Sequence, residues 1–168
     1  ILIEDDDALR HGATQALELE GLAVTPFSDA SAALDAINPD FPGVVVSDVR
    51  LPGIDGIEMF AQLRERDRTM QVIFTTAHGD VDMAVDAMKS GAADFFTKPY
   101  SVTRLAHAIR RAQEVRTLEI ENRRLRGELD VRLQSGMLGH SPAAMRLAAV
   151  TPEVARTDTD LLLLGEPG

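Results

Sequence analysis

The stretch VVVSDVRLPGIDG, residues 44–56, decides the fold of this chain. It is a short apolar run around one carboxylate, Asp48, and it ends at Pro52-Gly53. A run of this length, closed by a turn, is typical of a strand buried on both faces of a parallel sheet. Asp48 then lies at the carboxyl end of the strand, where open α/β sheets bind their ligands. An Asp there is a nucleophile, a metal ligand or a satisfied turn residue, and the other acids decide among these.

The composition excludes several classes of function. The chain has 168 residues, a formal charge of −10, no cysteine and 45% hydrophobic residues. Its acidity argues against direct DNA binding or binding to an anionic membrane, because phosphate contacts need clustered Lys and Arg. Disulfides and thiolate metal sites are excluded, and no apolar run is long enough to span a membrane. We expect a cytoplasmic protein, and a fragment, since the chain opens inside an apolar strand and stops in a predicted loop.

Strands and helices are predicted to alternate along the first 100 or so residues. The segments that read as strands are 1–3, 22–27, 44–49, 71–77 and 94–97, and a helical pattern follows each of them. Strict alternation predicts an α/β fold with a five-stranded, parallel, doubly wound sheet that carries helices on both faces. The period of the first helix, residues 8–20, places Leu9 and Leu17 inward, with Leu19 as a further candidate.

Charged and polar residues follow four of these strands, and they form one predicted site. Glu4 and Asp5 follow the first strand, Asp48 ends the third, Thr76 ends the fourth, and Lys98 follows the fifth. Each residue alone has an ordinary structural explanation: Lys98 as a turn residue, for example, or Thr76 as strand packing. Because parallel strands end at the same edge of a sheet, we expect these groups to converge. Together they favour phosphoryl transfer, in which Mg²⁺ is held by the acids and Asp48 is the nucleophile.

Four stretches carry a resemblance to a known family: LIEDD, VVVSDVRLPGIDG, TTAHGD and DFFTKP. On these motifs, residues 1–115 resemble the receiver domain of bacterial two-component response regulators, which has a flavodoxin-like fold. The resemblance implies that Glu4 and Asp5 are the acidic pair, with Asp5 a direct ligand of Mg²⁺. It also implies that Asp48 is the phosphoacceptor and that the backbone carbonyl of Arg50 completes the metal shell.

The same resemblance implies a switch. Thr76 matches the switch hydroxyl, Lys98 the phosphate-pairing lysine, and Phe95 the switch aromatic. Phosphorylation would then repack the face formed by the fourth helix, the fifth strand and the fifth helix. Met83 and Met88 in the fourth helix are either soft contacts on that face or core residues.

A long helix is predicted after the receiver, from Ser101 to about Leu133. Leu105, Ile109 and Ala112 are expected to pack on the receiver. Residues 116–135 are predicted to be a dimerising linker that forms a short coiled coil, because an apolar seam with one asparagine repeats at spacings of three and four: Val115, Leu118, Asn122, Leu125 and Leu129. The alternative is a solvated signalling helix that does not dimerise.

The last segment, residues 136–168, resembles the start of the AAA+ domain of sigma-54-dependent activators. It contains LGHSP and then a strand pattern, TDLLLL, before Gly165 and Gly168, which would open an incomplete phosphate loop. ATP binding is therefore expected only of a full-length parent protein. The whole order resembles the NtrC family of response regulators, and within it the dicarboxylate-transport regulators.

The resemblance implies a phosphoacceptor signalling domain, not an enzyme in its own right. Its partners would be a sensor histidine kinase, a second copy of the chain and, through the ATPase domain, sigma-54 RNA polymerase. One rival is a receiver-like adaptor that dimerises without phosphorylation. Another, a haloacid dehalogenase-type phosphatase, needs an acid where this chain has Arg50, and a dinucleotide-binding domain needs glycines where it has EDDD.

Overall fold

The computed structural model describes residues 1–77, 81–136 and 146. Five parallel strands form one sheet in the order β2-β1-β3-β4-β5. Their bounds are β1 Leu2–Ile3, β2 Pro26–Phe27, β3 Val45–Asp48, β4 Val72–Thr76 and β5 Asp94–Thr97. This is the predicted doubly wound sheet, and its strand order changes direction between β1 and β3, where such sheets bind ligands.

One helix follows each strand. Their bounds are α1 Asp7–Leu19, α2 Ala30–Ala36, α3 Gly56–Arg66, α4 Val81–Lys89 and α5 Val102–Gly136. Three of them begin at an aspartate, since the carboxylates of Asp6, Asp29 and Asp55 accept hydrogen bonds from the backbone N–H groups of Leu9, Ala32 and Glu58. Such caps satisfy amides that have no partner inside the helix.

The central strands are buried on both sides, as their unbroken apolar sequences predict. Every residue of β3 and of β4 is buried. Val45 belongs to a core cluster that includes Leu34 of α2 and Phe60 of α3, whereas its neighbour Val46 belongs to a second cluster with Leu17 of α1 and Ile109 of α5. Successive strand side chains point to opposite faces, so these clusters lie on the two sides of the sheet.

Two details of the predicted elements were wrong. The second strand is confined to Pro26–Phe27, where it pairs with β1. Leu9 and Leu19, expected to face inward, are 52% and 90% exposed, whereas Leu17 is buried. Leu19 lies two positions after Leu17, about 200° around the helix, so only one of the two can face the sheet.

The fifth helix ends at Gly136, and the chain divides into two compact units, Ile1–Glu121 and Asn122–Gly168. Within the first unit, Leu105, Ile109 and Ala112 pack in the core as predicted. Arg116 is completely buried in the same unit, and the predicted domain boundaries at residues 115 and 135 stay predictions. Among the described helices, none combines the length and apolar character needed to cross a membrane.

The predicted AAA+ segment, with Gly165 and Gly168, lies outside the described residues apart from Arg146 and the helix end at Gly136. The predicted seam of the linker is described only in part. Val115, Leu118 and Leu125 are 44%, 70% and 47% exposed. They offer an apolar stripe along α5, and the dimer remains a prediction.

Candidate functional site

Three carboxylates meet at the carboxyl edge of the sheet. Glu4 follows β1 directly and is buried, Asp48 ends β3 and is buried, and Asp5 is exposed. Carboxylate oxygens of the three lie within 4.8 Å of one another. The convergence follows from the register, because β1 and β3 are neighbouring parallel strands and end together.

Lys98, which follows the edge strand β5, also contacts this cluster. Its ammonium group lies 2.5 Å from Oε2 of Glu4, 94 residues away along the chain. The same nitrogen donates a hydrogen bond to Oδ2 of Asp48. One ammonium group therefore bridges the two buried carboxylates, and the turn-residue explanation of Lys98 is wrong.

The backbone around Asp48 fixes the direction of its carboxylate. Oδ1 accepts a hydrogen bond of 2.9 Å from the backbone N–H of Arg50, whose side chain is exposed. Gly56 packs against the same segment, so closely that an added Cβ would lie 2.3 Å from the carbonyl oxygen of Asp48. Only glycine fits there, and it lets α3 begin directly beneath the acidic cluster.

Thr76 and Phe95 lie beside this cluster in the sheet. Thr76 ends β4, is fully buried, and its carbonyl accepts a hydrogen bond of 2.7 Å from the backbone N–H of Lys98. Phe95 pairs with Phe74 in the β4–β5 register and is half-buried against the core. Of the two methionines, Met83 packs against the core and Met88 is 45% exposed. His78, which follows the strand carrying Thr76, lies outside the described residues.

Burial and charge act against each other in this site. Burial raises the pKa of Glu4 above its usual value, and the hydrogen bond from Lys98 offsets part of that shift. Burial alone would lower the pKa of Lys98, but its hydrogen bonds to Asp48 and Glu4 raise it above the usual value. Lys98 is therefore charged at neutral pH, and its positive charge compensates the two buried carboxylates.

The donor set fits a hard divalent cation. Mg²⁺ prefers oxygen ligands and is bound by one or two carboxylates together with water and phosphate oxygens. Glu4, Asp5 and Asp48 supply carboxylate oxygens that are close enough to share one ion, and Asp5 is open to solvent. Receiver domains bind Mg²⁺ through such an acidic cluster.

Replacing Lys98 with methionine tests this compensation. We expect the Lys98→Met chain to lose about 1–3 kcal/mol of unfolding free energy without Mg²⁺, because two buried carboxylates lose their common donor. Burial raises the pKa of Glu4 in the folded state, so the loss should shrink as the pH falls through that raised pKa and Glu4 takes up a proton.

Urea unfolding at several pH values, with and without Mg²⁺, measures both effects. Mg²⁺ should restore the stability of the Lys98→Met variant, because the cation replaces the missing positive charge. Lys89→Met is the matched control, since Lys89 is exposed and forms an exposed ion pair of 3.6 Å with Asp86. Equal losses in the two variants would show that Lys98 does not compensate the acids.

Two residues near the site were not found from the sequence. Arg10 in α1 donates hydrogen bonds to the backbone carbonyls of Glu4 and Asp5. Tyr100 lies with Lys98 and Leu9 along a groove beside α1, and burial raises the pKa of its hydroxyl. Arg10 could have been found from the sequence, because it lies in the first turns of a predicted helix that directly follows four acidic residues.

The comparisons with known proteins agree with this geometry. The family model for the response regulator receiver domain matches residues 1–110. The C4-dicarboxylate transport transcriptional regulatory protein DctD is 41% identical in Rhizobium meliloti, over 99% of this chain and 36% of the relative. DctD of Pseudomonas aeruginosa is 46% identical, over 100% of this chain and 37% of the relative. The chain thus spans little more than a third of the length of these relatives.

Solved structures show the same fold. The response regulator StyR superimposes with a TM-score of 0.75 at 30% identity, which covers 93% of this chain and 82% of that one. The sheet order, the acidic cluster at its edge and the family match all agree. The chain therefore belongs to the response regulator receiver family.

Proposed function

We propose that this chain is the phosphoacceptor part of a two-component response regulator of the NtrC type. A sensor histidine kinase supplies the phosphoryl group, and Asp48 accepts it. The observation that carries the proposal is the bridge from Lys98 to Glu4 and Asp48, at the edge where Asp5 also lies. One cation and three acids, close together, form a site for a phosphoryl group and Mg²⁺.

The chemistry follows from these groups. A carboxylate oxygen of Asp48 attacks phosphorus, so that a new O–P bond forms while the N–P bond of the kinase phosphohistidine breaks and the imidazole keeps the electron pair. Lys98 then pairs with a phosphoryl oxygen, and Thr76 offers its hydroxyl to another. Mg²⁺, held by Glu4, Asp5, Asp48 and the backbone carbonyl of Arg50, would neutralise charge on the phosphoryl oxygens.

The switch is proposed to run from Thr76 through Phe95 to the face of α4, β5 and α5. Movement of the Thr76 hydroxyl toward the phosphoryl group leaves space for Phe95 to turn inward. That face carries an ion pair of 2.9 Å between Arg111 and Asp94, and Val85 and Met88 are each 45% exposed on α4. Exposed apolar groups beside a charge pair suit a homodimer contact that can be rearranged.

The rest of the regulator is also a proposal. Residues 116–135 are proposed to be a dimerising helical linker, and residues 136–168 to begin an AAA+ domain that would bind ATP and act on sigma-54 RNA polymerase. The support is the similarity to DctD over the whole chain. A protein of this kind works in the cytoplasm, where its kinase and polymerase partners are found.

The first test is the intact mass of the chain after incubation with acetyl phosphate, with Mg²⁺ or with a chelator. We expect the addition of one phosphoryl group that requires Mg²⁺ and is removed by hydroxylamine, which cleaves acyl phosphates. Light scattering on the same samples shows which way the dimer equilibrium moves. A chain that gains no mass under any condition would instead be a phosphorylation-independent dimerisation adaptor.

A further inference from the structure

Arg10 stands out among the charged residues near the site because its position is electrostatically unfavourable for the helix. It lies in the first turns of α1, where the helix dipole favours anions and disfavours cations. Its side chain is nevertheless only 19% exposed. A cation held close to a helix N-terminus needs compensating contacts, and these are found in the loop before the helix.

The guanidinium group of Arg10 closes that loop. Nη1 donates to the carbonyl oxygen of Glu4 at 2.8 Å and to that of Asp5 at 3.2 Å. Nη2 pairs with the carboxylate of Asp7. The backbone N–H of Arg10 also donates to the carbonyl of Asp6 at 2.8 Å, so one residue contacts all four consecutive acids.

We propose that Arg10 is a positioning residue that sets the affinity of the acidic cluster for Mg²⁺. This rests on the proposed function, in which Glu4 and Asp5 hold the cation. By fastening the carbonyls of Glu4 and Asp5, the guanidinium fixes the backbone from which both carboxylates project. Asp5 is the member that needs this most, because it is exposed, whereas Asp48 is buried and accepts a hydrogen bond from the backbone N–H of Arg50.

The charge of Arg10 and its hydrogen bonds have opposite effects on the metal. A positive charge near the cluster repels a divalent cation, so removing it would strengthen binding if charge were the whole effect. Hydrogen bonds that orient ligand residues strengthen binding, and losing them weakens affinity by about tenfold or more. The sign of the change therefore distinguishes positioning from simple electrostatics.

The experiment is calorimetric titration of the 168-residue chain with Mg²⁺, comparing wild type with Arg10→Met and Arg10→Lys. We expect Arg10→Met to bind Mg²⁺ about tenfold more weakly. The Mg²⁺ affinity of Arg10→Lys should lie between those of wild type and Arg10→Met, because an ammonium group keeps the charge but lacks the planar guanidinium that donates to both carbonyls. Binding by Arg10→Met that is equal to wild type, or tighter, would overturn the proposal.

A matched control separates positioning from general loss of stability. Arg110 also donates from its guanidinium to a backbone carbonyl, that of Glu20, at the other end of α1. Arg110→Met should leave Mg²⁺ affinity unchanged, and urea unfolding without Mg²⁺ reports the stability of every variant. If Arg10→Met and Arg110→Met weaken Mg²⁺ binding equally, Arg10 is merely structural.

A kinetic measurement keeps this inference separate from the proposed function. With acetyl phosphate, Arg10→Met should need a higher Mg²⁺ concentration for half-maximal phosphorylation and should reach the wild-type rate at saturation, because Arg10 does not contact Asp48. A lowered rate at saturating Mg²⁺ would contradict a pure positioning role. If wild type binds Mg²⁺ but is not phosphorylated, the proposed function fails while the calorimetric result for Arg10 still stands.

Discussion

The Asp48→Asn chain is expected to gain no phosphoryl group from acetyl phosphate, whatever the Mg²⁺ concentration. The amide has nearly the shape of the carboxylate, but its oxygen is a far weaker nucleophile and cannot form the acyl phosphate. Its one carbonyl oxygen can keep the hydrogen bond from the backbone N–H of Arg50, whereas the NH2 group that replaces Oδ2 cannot accept from Lys98, which keeps its hydrogen bond to Glu4. The loss should therefore be chemical, in a folded protein, and intact mass measures it directly.

Asp55→Asn is the control for this variant. The chemical change is identical, and Asp55 lies on the same β3–α3 segment, where its exposed side chain caps α3 by accepting from the N–H of Glu58. Asparagine is about as good an N-cap as aspartate, so phosphorylation and stability should match wild type. Phosphorylation of Asp48→Asn at the wild-type level would place the acceptor elsewhere, with Asp5 the first residue to examine.

Replacing Arg116 with methionine is expected to remove about 3–5 kcal/mol of unfolding free energy, a large part of the stability of a domain this size. Arg116 is fully buried in α5. Its guanidinium donates to the carboxylate of Asp67 at 2.7 Å and the hydroxyl of Thr69 at 2.7 Å. It also donates to the carbonyls of Phe41 at 2.9 Å and Pro39 at 2.8 Å. Methionine fills part of the volume but leaves a buried carboxylate without its cation.

Urea unfolding of four variants, with Asp67→Asn alone among them, checks this estimate. Arg124→Met is the control on the same helix. Arg124 is exposed and its ion pair with Glu128 is 3.7 Å long, so we expect a change below about 0.5 kcal/mol. The Arg116→Met, Asp67→Asn double variant should lose about 0.5–3 kcal/mol less than the sum of the two single losses, because each single change already breaks the same buried pair. A loss for Arg116→Met as small as that of Arg124→Met would show that the buried pair contributes nothing net.

Arg116 also connects α5 to two loops at one edge of the sheet. Its partners lie in the loops before β3 and β4, at the edge of the sheet opposite Asp48. Four hydrogen bonds on a buried side chain fix the rotation of α5 at that point. The buried side chain therefore ties α5 to both loops within the unit Ile1–Glu121.

Most of the sheet could be predicted because its signal is local. The apolar runs of β3 and β4 are buried as their sequences indicate, and alternation with helices implies parallel strands. The length of the edge strand β2 was overestimated, because the pairing of an edge strand depends on its one neighbouring strand and not on its own propensity. Leu19 was misplaced because a short helix with several leucines fits more than one apolar stripe.

The candidate site was predictable for a related reason. Carboxyl ends of parallel strands share one edge, so residues that follow β1, β3 and β5 had to converge once the topology was correct. The identity of the partners was not predictable. Lys98 follows β5, and its side chain extends past the end of β4 to contact Asp48 at the end of β3 and Glu4 after β1. The sequence does not show which of the three acids this side chain contacts.

Arg116 shows most clearly what could not be predicted from the sequence. Its sequence context is a helix rich in charged residues, close to Val115 and Leu118 of the predicted coiled-coil seam. In the structure Val115 and Leu118 are exposed, and Arg116 is buried. The sequence by itself determined the order of elements, the parallel sheet and the acidic edge, because periodicity and strand ends are properties of neighbouring residues. Only the tertiary structure decided which charged side chains are buried and which loops they join, because burial of a charge requires partners that come from distant parts of the chain.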